Sequence, residues 1–305
     1  MRPDHWLKNI FIVFGLAAAV VLGAVPINFE TVLFSVLSLI PACLIASANY
    51  ILNEILDAPF DRMHPTKNRR PVAAGIVSEK ILWLLMAGLI LVGFALALWW
   101  FNIFYSAALV LLLLSGLLYN VPPVRLKDVA FADFILESFN NPIRLWLGWY
   151  ALMPTTSFPP LSIVVAWWSF GALLMSGKRY AELRFINNSE RSGAYRKSFR
   201  IYSEQSLLLS MFASASVFFF CAGVAVAVYK QNLVFVFPFL LVAVLGYFYR
   251  AMNSRSARLE PEQLMKNPMI IIGTLIIVAL SALLVLAPDR LTEPLHFFQL
   301  IDHGK

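Results

Sequence analysis

VLFSVLSLIPACLIASANYILNEILDAPFD, residues 32–61, decides the fold. It opens as an apolar run long enough to cross a bilayer, which takes about 20 residues for a hydrocarbon core of roughly 30 Å. It closes on an acidic motif, Asn53-Glu54-Ile55-Leu56-Asp57-Ala58-Pro59-Phe60-Asp61. Asn53, Asp57 and Asp61 stand at i, i+4 and i+8, so a helix continuing through them carries all three on one face. Like charges at that spacing repel and call for a compensating cation. Mg²⁺ suits the set, because it takes carboxylate oxygens, water and substrate phosphates and needs only one or two protein carboxylates. From these residues alone a solvated helix end reads the same way, and Pro59 is expected to bend or loosen the helix where the ligands sit.

The rest of the chain repeats the apolar theme. Its 305 residues are 60% hydrophobic and 13% charged, and the mean hydropathy is +0.75. That is more apolar surface than a water-soluble domain can cover. Candidate spans run over 9–27, 32–56, 81–99, 101–120, 129–150, 160–182, 206–228, 232–250 and 268–287. The expectation is an all-α membrane protein, with residues 1–305 as a single polytopic domain and neither a repeat nor a low-complexity tract. Arg2 and Lys8 precede a run that reads as a retained first helix rather than a cleaved signal. Cys43 and Cys221 lie in apolar runs without a CxxC or Cys/His neighbourhood, so they read as small core residues rather than a disulfide or zinc site.

Charge orients the bundle. All of the 24 Lys and Arg residues except Arg144, Lys230, Arg290 and Lys305 fall at the N-terminus or in and beside the connections 57–80, 121–128, 183–205 and 251–267. The positive-inside rule makes that side cytoplasmic, with the N-terminus in and the C-terminus out. The net charge of +7 is then a matter of topology and needs no nucleic-acid partner. A basic rim also favours anionic membrane lipids or phosphate ligands.

Directly after the acids comes His64-Pro65-Thr66-Lys67-Asn68-Arg69-Arg70-Pro71-Val72-Ala73-Ala74-Gly75. Lys67, Arg69 and Arg70 bring three cations, bracketed by two prolines, within a few residues of the carboxylates. Arg pairs with phosphate oxygens bidentately and Lys acts as a point charge. Metal-binding acids beside such a cluster make a diphosphate site. Asn53-xxx-Asp57-xxx-Asp61 followed by Arg70-Pro71 resembles the first Asp-rich motif of the UbiA superfamily of intramembrane prenyltransferases, and the resemblance runs nearly the whole length. It implies a nine-transmembrane-helix bundle with a lipid-accessible central cavity, a bacterial-type inner (plasma) membrane location and a cytoplasmic active site. It also implies Mg²⁺ held by Asn53, Asp57 and Asp61.

Two further segments, Arg2-Pro3-Asp4-His5-Trp6-Leu7-Lys8-Asn9 and Gly177-Lys178-Arg179-Tyr180-Ala181-Glu182-Leu183, are similar to the decaprenyl-phosphate phosphoribosyltransferase branch of that superfamily. Where aromatic prenyltransferases carry a second Asp-rich run, this chain has Lys178, Arg179, Tyr180 and Glu182. Cations in that place suit an enzyme holding two phosphate-bearing substrates. Lys178 and Glu182, at i and i+4, also read as a simple helix ion pair, and Lys8 as the mark of a helix end. The fifth span carries Asp133, Glu137 and Arg144, ionisable groups that at membrane depth face a cavity or each other. The family has an acid and an Arg at the positions of Asp133 and Arg144. Glu137-Ser138-Phe139-Asn140-Asn141-Pro142 is more polar than the phosphoribosyl branch leads one to expect, and Glu54 stands where an Asp is usual.

The resemblance implies a reaction: phosphoribosyl pyrophosphate gives its 5-phosphoribose to a polyprenyl phosphate lipid and releases pyrophosphate. Asp57 and Asp61 are the catalytic acids. Lys67, Arg69 and Arg70 neutralise the pyrophosphate, while Lys8, Lys178, Arg179 and Tyr180 hold the lipid phosphate or the ribose 5-phosphate. Asp133, Arg144 and Glu182 complete the substrate-binding set. Two alternatives stay open at this point: a prenyltransferase moving a polyprenyl chain from its diphosphate to an aromatic acceptor, and a transporter or scaffold without catalysis.

Overall fold

The computed structural model of the chain describes residues 9, 11–22, 25–62, 67–153, 157–186, 196–253 and 268–286. Those residues form nine α-helices and no strand. They are α1 (Ile12–Val21), α2 (Phe29–Asp61), α3 (Glu79–Trp100), α4 (Ile103–Asn120), α5 (Ala132–Leu152), α6 (Leu161–Ile186), α7 (Glu204–Tyr229), α8 (Phe237–Asn253) and α9 (Pro268–Leu286). Short 3₁₀ turns lie at Lys67–Arg69, Leu126–Asp128, Lys197–Arg200 and Gln231–Val236. Each expected span has its helix. α1 is shorter than the apolar run predicts, and α2 runs five residues past its apolar end.

Six segments are long and apolar enough to cross a membrane: α2, α3, α4, α6, α7 and the stretch Gln231–Asn253 that contains α8. On α3, Leu84, Leu91 and Leu98 form an outward stripe at seven-residue spacing, each more than half exposed. On α7, Leu209, Phe212 and Phe220 are likewise more than half exposed. Leucine-rich exteriors of this kind are stable against lipid and unstable against water. The chain is an integral membrane protein. α5 is not among the six; it carries Asp133, Glu137 and Arg144 and buries most of its second half.

The helices group into two compact units, one of residues 1–159 with 188–203, the other of 160–187 with 204–305. In the first, Ile12, Leu16 and Ala19 of α1 join Ala42 and Ile45 of α2, Leu109 and Leu112 of α4, and Ile143 and Leu147 of α5 in one core. α1 crosses α5 on a reciprocal pair of glycines. A Cβ on Gly15 would lie 2.0 Å from the Leu145 carbonyl oxygen, and one on Gly148 would lie 2.1 Å from that of Ile12. Only hydrogen at both positions lets the backbones approach so closely. Asn102 serves two helix ends: its Oδ1 accepts the Tyr105 N–H at 3.0 Å, and its Nδ2 donates to the last carbonyls of α5, Tyr150 at 2.8 Å and Met153 at 3.0 Å. Groups that helix termini leave unsatisfied are thereby paired within the protein.

In the second unit α6 packs on α7 and α8. The Tyr247 hydroxyl of α8 donates to the Leu174 carbonyl at 2.7 Å, and its ring lies on Gly177, where a Cβ would come within 2.5 Å of the phenol oxygen. Arg184 donates to the Met252 carbonyl near the end of α8, a favourable place for a cation at a helix C-terminus.

Candidate active site

α2 does not break at Pro59. It stays helical to Asp61, and the Arg62 N–H still donates to the Ala58 carbonyl at 3.1 Å. The face shared by Asn53, Asp57 and Asp61 is therefore continuous, and the loosening expected at the proline is absent. The turn that follows folds back onto it. Arg70 Nη1 meets Asp61 Oδ2 at 2.5 Å, the Val72 N–H donates to Glu54 Oε1 at 3.4 Å, and Gly75 reverses the chain at φ 72°, a conformation glycine adopts without strain.

Asp57 is approached from the α4–α5 connection. Lys127 Nζ donates to Asp57 Oδ1 at 2.7 Å, to Asn53 Oδ1 at 3.1 Å and to Asn120 Oδ1 at 3.0 Å. Three acceptors match the three protons of an ammonium group. Arg125 Nη2 donates to the same Asp57 oxygen at 3.1 Å, and its Nε meets Asp128 Oδ2 at 3.3 Å. Burial lowers the Lys127 pKa below the ordinary lysine value; the Asp57 carboxylate opposes that shift, and Arg125 and Arg196 add to it. An ammonium with 7% exposure is tolerable only because it is paired and fully hydrogen-bonded.

Among the described residues no three His, Cys, Asp or Glu side chains cluster as a metal cage. The donor chemistry nevertheless fits Mg²⁺ with a diphosphate. Asp57, Asp61 and Asn53 offer hard oxygens along one helix face, few enough that the ion would complete its shell with phosphate and water. Arg70, Arg125 and Lys127 stand where the anion's charge would need neutralising.

The other expected residues are distributed as follows. Arg69 is exposed in the Lys67–Arg69 turn. Lys8 and the Lys67 side chain lie outside the described residues. Arg144 is enclosed in the first unit, with Nε donating to Asn9 Oδ1 at 3.0 Å and Nη1 to the Asn140 carbonyl at 3.2 Å. Asp133 differs from expectation. It has 0% exposure and takes hydrogen bonds from Arg196 at 3.1 Å, Ser198 at 3.2 Å, the Phe134 N–H at 2.8 Å and the Tyr202 hydroxyl. A carboxylate enclosed by protein donors presents no surface to a substrate. In the second unit Glu182 pairs with Arg179, one turn back, at 3.1 Å. Tyr180 is buried and its hydroxyl lies 3.5 Å from Glu204 Oε2.

Sequence reasoning missed Lys127, Arg125 and Asn120 as partners of the acidic face. It counted the two cations only as topology signals. Their one local mark is that they follow, two and four residues on, the Pro122-Pro123 pair just beyond α4.

A sequence model of the UbiA prenyltransferase family matches residues 10–271. The decaprenyl-phosphate phosphoribosyltransferase of Mycolicibacterium smegmatis is 34% identical over 227 residues, 73% of this chain and 67% of that protein. The enzyme of the same name from Mycobacterium tuberculosis is 33% identical over 226 residues, 73% of this chain and 71% of that protein. Among solved structures, a UbiA homolog from Archaeoglobus fulgidus bound to DMAPP and Mg²⁺ superposes with a TM-score of 0.67 at 17% identity, covering 93% of this chain and 99% of that one. An apo UbiA homolog from Aeropyrum pernix gives 0.61 at 16% identity, covering 90% and 98%. These two likenesses speak to the fold alone. A family match across most of the chain, together with relatives a third identical in sequence, shows that the chain belongs to the UbiA prenyltransferase family.

Proposed function

We propose that this protein transfers 5-phosphoribose from phosphoribosyl pyrophosphate to a polyprenyl phosphate, releasing pyrophosphate, in a Mg²⁺-dependent reaction at Asp57 and Asp61. One observation carries the proposal: both carboxylates sit among cations, Lys127, Arg125 and Arg70, in a chain 34% identical to a phosphoribosyltransferase.

In this reading Asp57, Asp61 and Asn53 would hold Mg²⁺ against the pyrophosphate. Bound Mg²⁺ supplies Lewis-acid stabilisation of the leaving group. Lys127, Arg125 and Arg70, with Lys67 and Arg69 of the adjoining turn, hold the phosphate oxygens and fix the anomeric carbon for attack. A phosphate oxygen of the lipid forms the new bond to that carbon. The bond from the carbon to the pyrophosphate oxygen breaks, and pyrophosphate departs with the electron pair. No general base is required, because the nucleophile is already anionic. Lys178, Arg179, Tyr180 and Glu182 are assigned to the second phosphate-bearing substrate on the strength of their motif and chemistry. The basic connections support a cytoplasmic site with the N-terminus inside.

The test is an assay of purified protein with a polyprenyl phosphate and labelled phosphoribosyl pyrophosphate. Label moving into a lipid-soluble product supports the proposal. Label remaining in the aqueous phase, while a prenyl diphosphate and an aromatic acid are consumed, replaces it with prenyl transfer.

A further inference from the structure

Asp133 spends a fully buried carboxylate on a segment far from it in sequence. Arg196 and Ser198 both bond its Oδ2, at 3.1 and 3.2 Å, and the Tyr202 hydroxyl bonds its Oδ1. Lys197, between the first two, points the other way and meets Asp128 Oδ2 at 3.4 Å. Asp128 also receives Arg125 at 3.3 Å, and Arg125 holds Asp57 at 3.1 Å. The Tyr202 oxygen accepts the Phe131 N–H at 2.6 Å, where Phe131 sits at φ 65°, a conformation rare for a bulky side chain. The Asp133 N–H donates to the Val129 carbonyl at 3.0 Å. The 196–202 segment thus clasps the short connection that carries Arg125, Lys127 and Asp128 to the acidic face.

We propose that Asp133, through Arg196, Ser198 and Tyr202, is a positioning residue that sets the 125–128 turn so that Lys127 and Arg125 meet Asp57 and, with it, a diphosphate. Asp133 touches no substrate. Two links transmit its effect. One is the backbone between Asp128 and Asp133, pinned at Phe131. The other is the Lys197–Asp128–Arg125 chain, the weaker of the two because Lys197 is exposed. Tyr119 adds a side branch, receiving Arg196 at 3.5 Å and donating to Glu137 at 3.2 Å. The proposal rests on the reading of Asp57 as the diphosphate site.

The experiment is calorimetric binding of inorganic pyrophosphate, in excess Mg²⁺, to the detergent-purified full chain. Tyr202→Phe and Ser198→Ala each remove one hydrogen bond from Asp133 and keep the buried charge paired with Arg196, so folding survives better than in Asp133→Asn. Each is expected to weaken pyrophosphate binding about three- to tenfold. The Tyr202→Phe effect should also be coupled to Lys127→Met, the double variant binding at least threefold tighter than the product of the single effects requires. A merely structural role lowers the melting temperature but leaves pyrophosphate affinity unchanged, or leaves the two effects multiplicative; either result overturns the proposal. Asp57→Asn separates the two readings. If that variant binds pyrophosphate like the unaltered protein, the assignment of the site fails. If it loses binding while Tyr202→Phe does not, only the positioning role fails.

Discussion

Replacing Lys127 by methionine keeps most of the stem and deletes the ammonium that joins three elements of the site. Lys127 Nζ lies 2.7 Å from Asp57 Oδ1 and also serves Asn53 and Asn120. Leaving a buried charge wholly uncompensated costs roughly 3–5 kcal/mol. Here the loss is smaller for two reasons. Asp57 keeps Arg125 and retains 21% side-chain exposure, and the variant is spared the desolvation that already lowers the Lys127 pKa. A net destabilisation of about 1–2 kcal/mol follows, a fall of roughly 2–3 °C in the thermal midpoint at this chain length. Excess Mg²⁺ should narrow the gap, because the ion no longer competes with an ammonium for Asp57 and binds the variant more tightly than the unaltered protein. The Michaelis constant for phosphoribosyl pyrophosphate should move the opposite way and rise, since a cation beside the proposed phosphate site is gone. Thermal unfolding in detergent, with and without Mg²⁺, reads the first pair of effects and initial-rate kinetics the last. An unchanged midpoint without Mg²⁺, or a larger Mg²⁺ shift in the unaltered protein than in the variant, would refute the reasoning.

Other outcomes can be checked with similar means. Asp57→Asn and Asp61→Asn should each lower transfer at least a hundredfold, measured as label entering the lipid product, because each removes a carboxylate that would hold Mg²⁺ on the pyrophosphate. Chelation should abolish transfer and added Mg²⁺ restore it; full activity in excess chelator rules out the metal. Gly148→Ala should cost about 2–3 kcal/mol, since its Cβ would fall 2.1 Å from the Ile12 carbonyl oxygen, whereas Gly223→Ala, with no heavy atom within 4 Å, should leave the melting temperature unchanged or slightly raised. Asn102→Ala should cost about 2 kcal/mol by uncapping α4 and stranding two α5 carbonyls; a loss below a few tenths would mean water replaces it.

Helix positions and the acidic face were legible because each depends on local spacing. Twenty-residue apolar runs and an i, i+4, i+8 series need no tertiary knowledge. The carry-through at Pro59 was not, because a proline in the last turn is tolerated or not according to what holds the residues beyond it, here Arg70 on Asp61. The counter-ions of Asp57 escaped for a related reason. Lys127 is 70 residues from its partner, and in a basic connection nothing local separates a cation with a fixed acceptor from one that marks topology. The expectation of a substrate contact at Asp133 comes from the acid that the family carries at that position, and spacing says nothing of what surrounds it. Its enclosure comes from Tyr202, Ser198 and Arg196, whose arrival at that helix no periodicity announces. The Arg179–Glu182 pair was not singled out, since both i−3 and i−4 of Glu182 bear cations and side-chain direction, not spacing, governs such contacts.

The reciprocal glycines of α1 and α5 bear on how the chain is made. Gly15 and Gly148 are about 130 residues apart, so at 5–20 residues per second the first helix waits on the order of 10 s for the surface it was shaped to meet. During that interval the notch at Gly15 faces lipid or the insertion machinery, and α2, α3 and α4 enter the membrane before it closes. α1 is thus synthesised before α2 to α5 and docks only after they have emerged. A photocrosslinker beside Gly15 in arrested chains should switch from lipid or translocon adducts to intramolecular ones only after α5 has emerged.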